Sequence, residues 1–217
     1  MSHSFPNIVA SIMLSMTSLW LGCGPMMSAP PAPPIRTPGA PEVSHGTNAG
    51  IAHQNAFIDD PEASRVLPLA NYQFAVRGPI GAQQRNEMGV LLHVGLPGLA
   101  SGGGYYRHSI LGHGPESAGV LGAQVTGGML WAGFGLPAAL RLSDKTWLTT
   151  HPSIRIAPFP VVHLPLGMSF EVGEHKRIDT EIGAHFSSKD ERLSLFQESY
   201  AAYVGVSFAH ALGPPKD

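Results

Sequence analysis

The stretch "GAHFSSKDERLSLFQESYAAYVGVSF", residues 183–208, sets His185 and Ser187 two residues apart and follows them with Glu198. On an extended strand alternate side chains share a face, so His185 and Ser187 lie together. A serine nucleophile needs an imidazole base, and the imidazole needs an acid to orient it. These three residue types are therefore what an acyl-transfer site requires. The bland reading of the same residues is a polar pair lining a lumen or a loop end, because His-x-Ser arises readily by chance. Both readings stay open at this level.

Histidine offers a second chemistry. His93, His163, His185 and His151 fall on the alternate face of candidate strands. Neighbouring strands are about 4.8 Å apart, so His163 and His185, on successive runs, are within reach of one another. A metal centre needs three or four converging ligands with support behind them. There is no HExxH or similar motif, so no metal and no cofactor is expected. "GLPGLASGGGYY", residues 95–106, lacks the Lys-Ser/Thr and the helix of a phosphate loop and is read as a turn.

The third reactive group is the one cysteine, Cys23, at the end of the first apolar run. "IVASIMLSMTSLWL", residues 8–21, carries no charge. That is too short for a spanning helix, which takes about twenty residues, and right for the 7–15 or so of a secretory h-region. An exported chain with a single thiol makes no internal disulfide, so this one reads as an attachment point. Leu21-Gly22-Cys23 resembles the lipobox of bacterial lipoproteins, in which the thiol receives a diacylglyceryl group and cleavage leaves the lipidated cysteine first. Trp20 and Leu21 depart from the usual pattern, and the n-region "MSHSFPN" has no Lys or Arg. Residues 1–22 are accordingly expected to be a signal peptide. The segment 23–65 begins "CGPMMSAPPAPPIRTPGAPEV" and is expected to be a lipidated N-terminus and Pro/Ala-rich linker.

The elements that must position these groups announce themselves by period. From about residue 66 the apolar residues recur at every second position. Leu164, Leu166, Met168 and Phe170 alternate with Pro165, Gly167 and Ser169; Ile178, Ile182 and Phe186 alternate with Asp179, Gly183 and His185; Val204, Val206 and Phe208 alternate with Gly205 and Ser207. Period two means strands. Short turns between consecutive runs make antiparallel neighbours. The expected fold is all-β: an antiparallel up-and-down β-barrel of about eight strands over residues 66–212.

Composition suggests which face meets solvent. Charged residues are only 13% of the chain and net charge is -2, which gives no footprint for nucleic acid and too little charge for a wholly aqueous surface. Arg77, Arg141 and Arg155 share the alternate face with Glu171, Asp179 and Glu181; inside a narrow barrel such charges pair and fill the lumen. Lipid around the apolar stripe therefore predicts that Leu164, Ile182 and Val206 point outwards. The function expected is that of a bacterial outer-membrane (cell-envelope) β-barrel or lipoprotein, with membrane lipid as partner, a structural, adhesive or interaction role and no catalysis. The rivals are a soluble periplasmic barrel holding a small apolar ligand and a lipid A esterase. For the latter, residues 183–208 are similar to the His-x-Ser and downstream Glu of the lipid A 3-O-deacylases, eight-stranded outer-membrane barrels; that likeness implies His185 as base, Ser187 as nucleophile and Glu198 as orienting acid. Ser188 stands where the family has Asn.

Overall fold

The computed structural model describes residues 33, 40–54, 65–81, 85–96, 100–128, 131–156, 160–173, 175–187 and 199–212. Twelve strands follow one another in these: β1 Glu42–Gln54, β2 Arg65–Ile80, β3 Asn86–Leu96, β4 Ala100–Leu111, β5 Gly119–Gly128, β6 Ala132–Gly135, β7 Ala138–Ser143, β8 Thr146–Thr150, β9 Ser153–Ile156, β10 Val161–Gly173, β11 Lys176–Ser187 and β12 Ser199–Ala211. Every pairing is antiparallel, and β12 returns to pair with β1, so the sheet closes on itself. A closed sheet has no edge left to satisfy.

Among the described residues the closed ring runs through ten strands, β1 to β6 and β9 to β12, rather than about eight. β7 and β8 lie outside that ring and extend two of its members. β5 meets β6 at Gln124↔Gly135 and β7 at Leu121↔Ala138, three residues further along on both sides. β10 meets β9 at His163↔Ser153 and β8 at Leu166↔Thr150, again three and three. Each pair is thus one wall strand interrupted where Pro137 or Pro152 falls, as expected of a residue with no N–H for the ladder.

One of the two wall strands beyond the expected eight is β1. It lies within 23–65, the span expected to be linker, so the barrel begins at Glu42 and not at residue 66. Its outward positions are Val43, His45, Thr47, Ala49, Ile51 and His53, too weakly apolar to show the period. The residues 95–106 read as a turn contribute three residues, 97–99, to the connection; Gly102, Gly103 and Gly104 are inside β4.

Register fixes the barrel's shape. Partners traced round the wall run Gln54, Ser199, Ser187, Val161, Arg155, Gly133, Thr126, Tyr105, Gly89, Arg77 and back to β1 at Glu42. The path returns twelve residues from where it started. At rises of about 3.3 Å per residue and 4.8 Å per strand, that stagger sets a tilt of about 40°.

The two faces are inverted relative to a water-soluble fold. Ile51, Phe74, Val90, Tyr106, Val125, Phe134, Ile154, Leu164, Ile182 and Val206, from each of the ten wall strands, are all exposed. The residues that hold Leu164, Ile182 and Val206 in the alternation turn the other way: His163, His185 and Ser207 are buried. Among the described residues the inside holds no continuous apolar core, only small clusters such as Ala75, Leu91 and Tyr105 or Ala139 and Trp147. Polar side chains fill the rest.

Candidate functional site in the barrel lumen

Alternate residues of β11, read upward from the end that holds Glu42 and Ala211, are Arg177, Asp179, Glu181, Gly183 and His185. Those of β3 are Glu87, Gly89, Leu91 and His93. Both sequences pass from charged side chains at the terminal end to histidine, and the lumen accordingly has two layers.

The layer at the terminal end is a network of ion pairs. Glu42 accepts from Arg77 Nε at 2.8 Å and from Arg177 Nη2 at 2.8 Å. Glu87 lies 3.4 Å from Arg77 Nη1 and 3.5 Å from Arg107 Nη1, and Tyr105 donates to it at 2.6 Å. Asp179 accepts from Arg177 Nε at 2.8 Å and from Ser169, and Arg107 donates to Gln124 at 3.0 Å. Three guanidinium groups face three carboxylates, so the buried charges cancel. Pro33, ahead of β1, joins this layer: its carbonyl accepts from Arg77 Nη1 at 3.0 Å, and it is buried. Arg141, expected among the lumen charges, instead pairs at the rim with Asp144 at 3.2 Å.

The second layer is a histidine belt. Register sets His163 directly across from His185, and their rings stack with centroids 4.3 Å apart and planes 9° from parallel. Tyr203 donates its hydroxyl hydrogen to Glu181, and the same oxygen lies 2.6 Å from His163 Nε2. With that hydrogen directed to the carboxylate, Nε2 carries one and donates to the phenol oxygen. Arg155 sits within electrostatic reach of His93, His163, His185 and Tyr203, and its guanidinium lies 5.4 Å from the ring of Trp131. Among the described belt residues, buried nitrogens without a hydrogen-bond partner include both of His93, Nδ1 of His163 and Nε2 of His185. Among the described residues no three His, Cys, Asp or Glu side chains converge to hold a metal ion.

Of the proposed acyl-transfer residues, His185 is buried on the lumen face. Ser187 has that parity in β11, opposite Val161 and Ser199. Its side chain, Glu198 and Ser188 lie outside the described residues, as do the signal peptide and Cys23. The acid the structure does bring close to His185 is Glu181, by way of Tyr203 and His163.

A local pattern that sequence reasoning missed occurs twice. In Glu87-Met88-Gly89 the glycine pairs with Tyr105, and in Glu181-Ile182-Gly183 it pairs with Tyr203. A Cβ at either glycine would meet the tyrosine ring at 2.5 Å, so each ring lies over the bare backbone and its hydroxyl reaches the Glu two residues away. The signal was Glu-x-Gly on a strand whose antiparallel neighbour places Tyr opposite the Gly.

No protein-family model and no characterised protein matches the sequence. Among solved structures, the outer membrane protease OmpT of Escherichia coli is similar at 9% identity and TM-score 0.48, over 81% of this chain and 98% of that one. Neisserial surface protein A gives 9% and 0.38, over 79% and 97%; the attachment invasion locus protein Ail of Yersinia pestis gives 10% and 0.33, over 80% and 99%. At these scores the likenesses carry no weight, and the barrel stands on its own strand pairing.

Proposed function

We propose that this chain is an exported bacterial outer-membrane β-barrel with a structural, adhesive or interaction role and no catalysis, tethered additionally by lipid on Cys23. The single observation that carries this reading is the polarity of the wall. Among strand residues whose side chains are described, Lys176, at the very start of β11, is the one Lys, Arg, Asp or Glu with outward parity. Leu164 and Ile182 are 50% and 58% exposed at the middle of the wall. At the tilt above, a ten-residue strand climbs about 25 Å, the height of the apolar band in membrane barrels. Aromatic residues gather on this face toward both ends: Phe74, Tyr106 and Phe208 at the terminal end, Phe186 and Tyr200 at the other.

Connection lengths suggest an orientation. The terminal end has both ends of the barrel chain and the two-residue links 144–145 and 174–175, whereas 55–64 and 188–198, the longest connections, lie at the opposite end. Short turns face the periplasm in such barrels, which directs the opposite rim outwards as the interaction surface. A soluble carrier of an apolar ligand would need an apolar interior, and this one is charged. A lipid esterase would need its base turned toward acyl chains, and His185 faces the lumen.

The test is carbonate extraction of a Cys23→Ala variant, run beside a heat-dependent gel-mobility assay. The barrel reading expects the unlipidated protein to stay with the membrane and to migrate faster unheated. Release into the supernatant would leave only a lipid-tethered soluble domain.

A further inference from the structure

Near the terminal end of the outer wall, β3 and β4 carry a polar cluster within an apolar surface. Register sets Asn86 directly across from His108, and Tyr106 across from Met88. Asn86, Tyr106 and His108 all have outward parity, alternating with the buried Glu87, Tyr105 and Arg107. The Tyr106 hydroxyl donates to Asn86 Oδ1 at 2.8 Å, and His108 Nδ1 lies 2.8 Å from the same oxygen. The outward positions around them are apolar and exposed: Ile80 of β2 opposite Asn86, Met88 of β3, Ile110 of β4, and Val125 of β5 opposite Tyr106. We propose that this cluster binds the headgroup of a phospholipid with a primary ammonium, a phosphatidylethanolamine, the phosphate on Asn86 and the ammonium on His108. The proposal rests on the reading that lipid covers the wall, and names one lipid it holds.

Hydrogen count leads there. A carboxamide oxygen only accepts, so both bonds run toward Asn86: the phenol gives its hydrogen, and His108 carries its own on Nδ1. That leaves Nε2 of His108 as a lone pair and the two N–H of Asn86 unspent, with no group among the described residues engaging either. The cluster thus presents two donors and one acceptor, held in place by its own hydrogen bonds. Polar groups in apolar surroundings call for partners. An ethanolamine headgroup brings both complements in one molecule, since its phosphate oxygens accept from the amide and its ammonium donates to the imidazole. A trimethylated choline headgroup has no N–H to give and meets the amide alone. Charge agrees: among described strand residues neither β3 nor β4 has a Lys, Arg, Asp or Glu of outward parity, and Arg85, just ahead of β3, has the parity of Glu87. A site without fixed charge matches a zwitterion better than an anionic lipid. Depth agrees as well. Tyr106 belongs to the aromatic level at the terminal end, and His108 stands two residues beyond it, about 5 Å along the wall at the tilt above. Met88 and Val90, on the side toward the middle of the wall, lie where an acyl chain would run.

The experiment is native mass spectrometry of the refolded full-length barrel, released from detergent micelles doped with equal amounts of dioleoyl phosphatidylethanolamine and dioleoyl phosphatidylcholine. The expected result is a retained lipid in which ethanolamine exceeds choline by about tenfold, the gain from one charge-assisted hydrogen bond. His108→Phe keeps an aromatic ring on the wall and should bring that ratio to about one, because the acceptor for the ammonium is gone. Asn86→Leu removes the donors to the phosphate that both lipids share, and should lower retention of both by at least about threefold. No preference in the wild type, a preference intact in His108→Phe, or retention unchanged in Asn86→Leu would each overturn the proposal. A barrel that retains both lipids equally leaves the membrane reading standing and removes this site alone, whereas carbonate release of the Cys23→Ala protein removes the reading itself. Where a variant does not refold to the heat-modifiable form, the wild-type ratio decides alone.

Discussion

Tyr105 on Glu87 and Tyr203 on Glu181 are the same construction in two surroundings. Each ring covers a glycine of the neighbouring strand and each hydroxyl donates to the glutamate two residues before that glycine. Glu87 also has Arg77 and Arg107 within 3.5 Å. Glu181 has instead a phenol that leads on to two stacked imidazoles. The same local geometry therefore has different company in the two places: Glu87 lies between guanidinium groups of β2 and β4, and Glu181 against a phenol of β12 that leads on to His163 of β10.

The contrast yields graded expectations. The largest effect belongs to the terminal layer. Arg77→Met leaves Glu42 and Glu87 short of a cation and should cost about 3–5 kcal/mol of unfolding free energy, read as a lowered urea midpoint for loss of the heat-modifiable band. A smaller cost would mean that water reaches this layer and that the two halves of the lumen are alike. Next comes Tyr203→Phe, which removes the donor to Glu181 and the acceptor for His163 at once. It should cost about 2–3 kcal/mol on the scale of hydrogen bonds to charged groups. Tyr105→Phe should cost less, about 1 kcal/mol, since Glu87 keeps both guanidinium partners. Equal losses in the same urea titration would erase the distinction between the two tyrosines. The smallest effect is His185→Leu, which removes one stacked imidazole and one partnerless buried nitrogen; it should lie within about 1 kcal/mol of the parent. A large loss there would show that His185 has a partner of its own.

Period two was enough for the class of fold, the antiparallel order and the outward stripe, because in 162–172 and 200–208 an apolar residue stands at every second position without a break. Strand number was not, because β1 presents His45, Thr47, Ala49 and His53 where lipid-facing residues were sought, and its first residues follow a proline-rich run. Pairing of His163 with His185 was foreseeable from adjacent strands of matching phase. The network around Glu42 was not: Arg177 reaches it from 135 residues away, a contact that exists only because β12 closes on β1. Glu181 was legible as a lumen charge, yet its partner turned out to be a tyrosine rather than an arginine, since the opposing position on β12 offers Gly205 and the ring of Tyr203 beyond it. Closure creates the site, and closure leaves no local mark on sequence.

The account rests on hydrocarbon rather than water covering the outward stripe. Nitroxide labels on single cysteines at positions 162, 164 and 166, in a Cys23→Ala background reconstituted into vesicles, measure that directly through collision with oxygen and with a water-soluble nickel chelate. Strong oxygen and weak nickel accessibility at all three, deepest at 164, is the predicted result. Labels that are packed and shielded from both reagents, or open to nickel throughout, would contradict it.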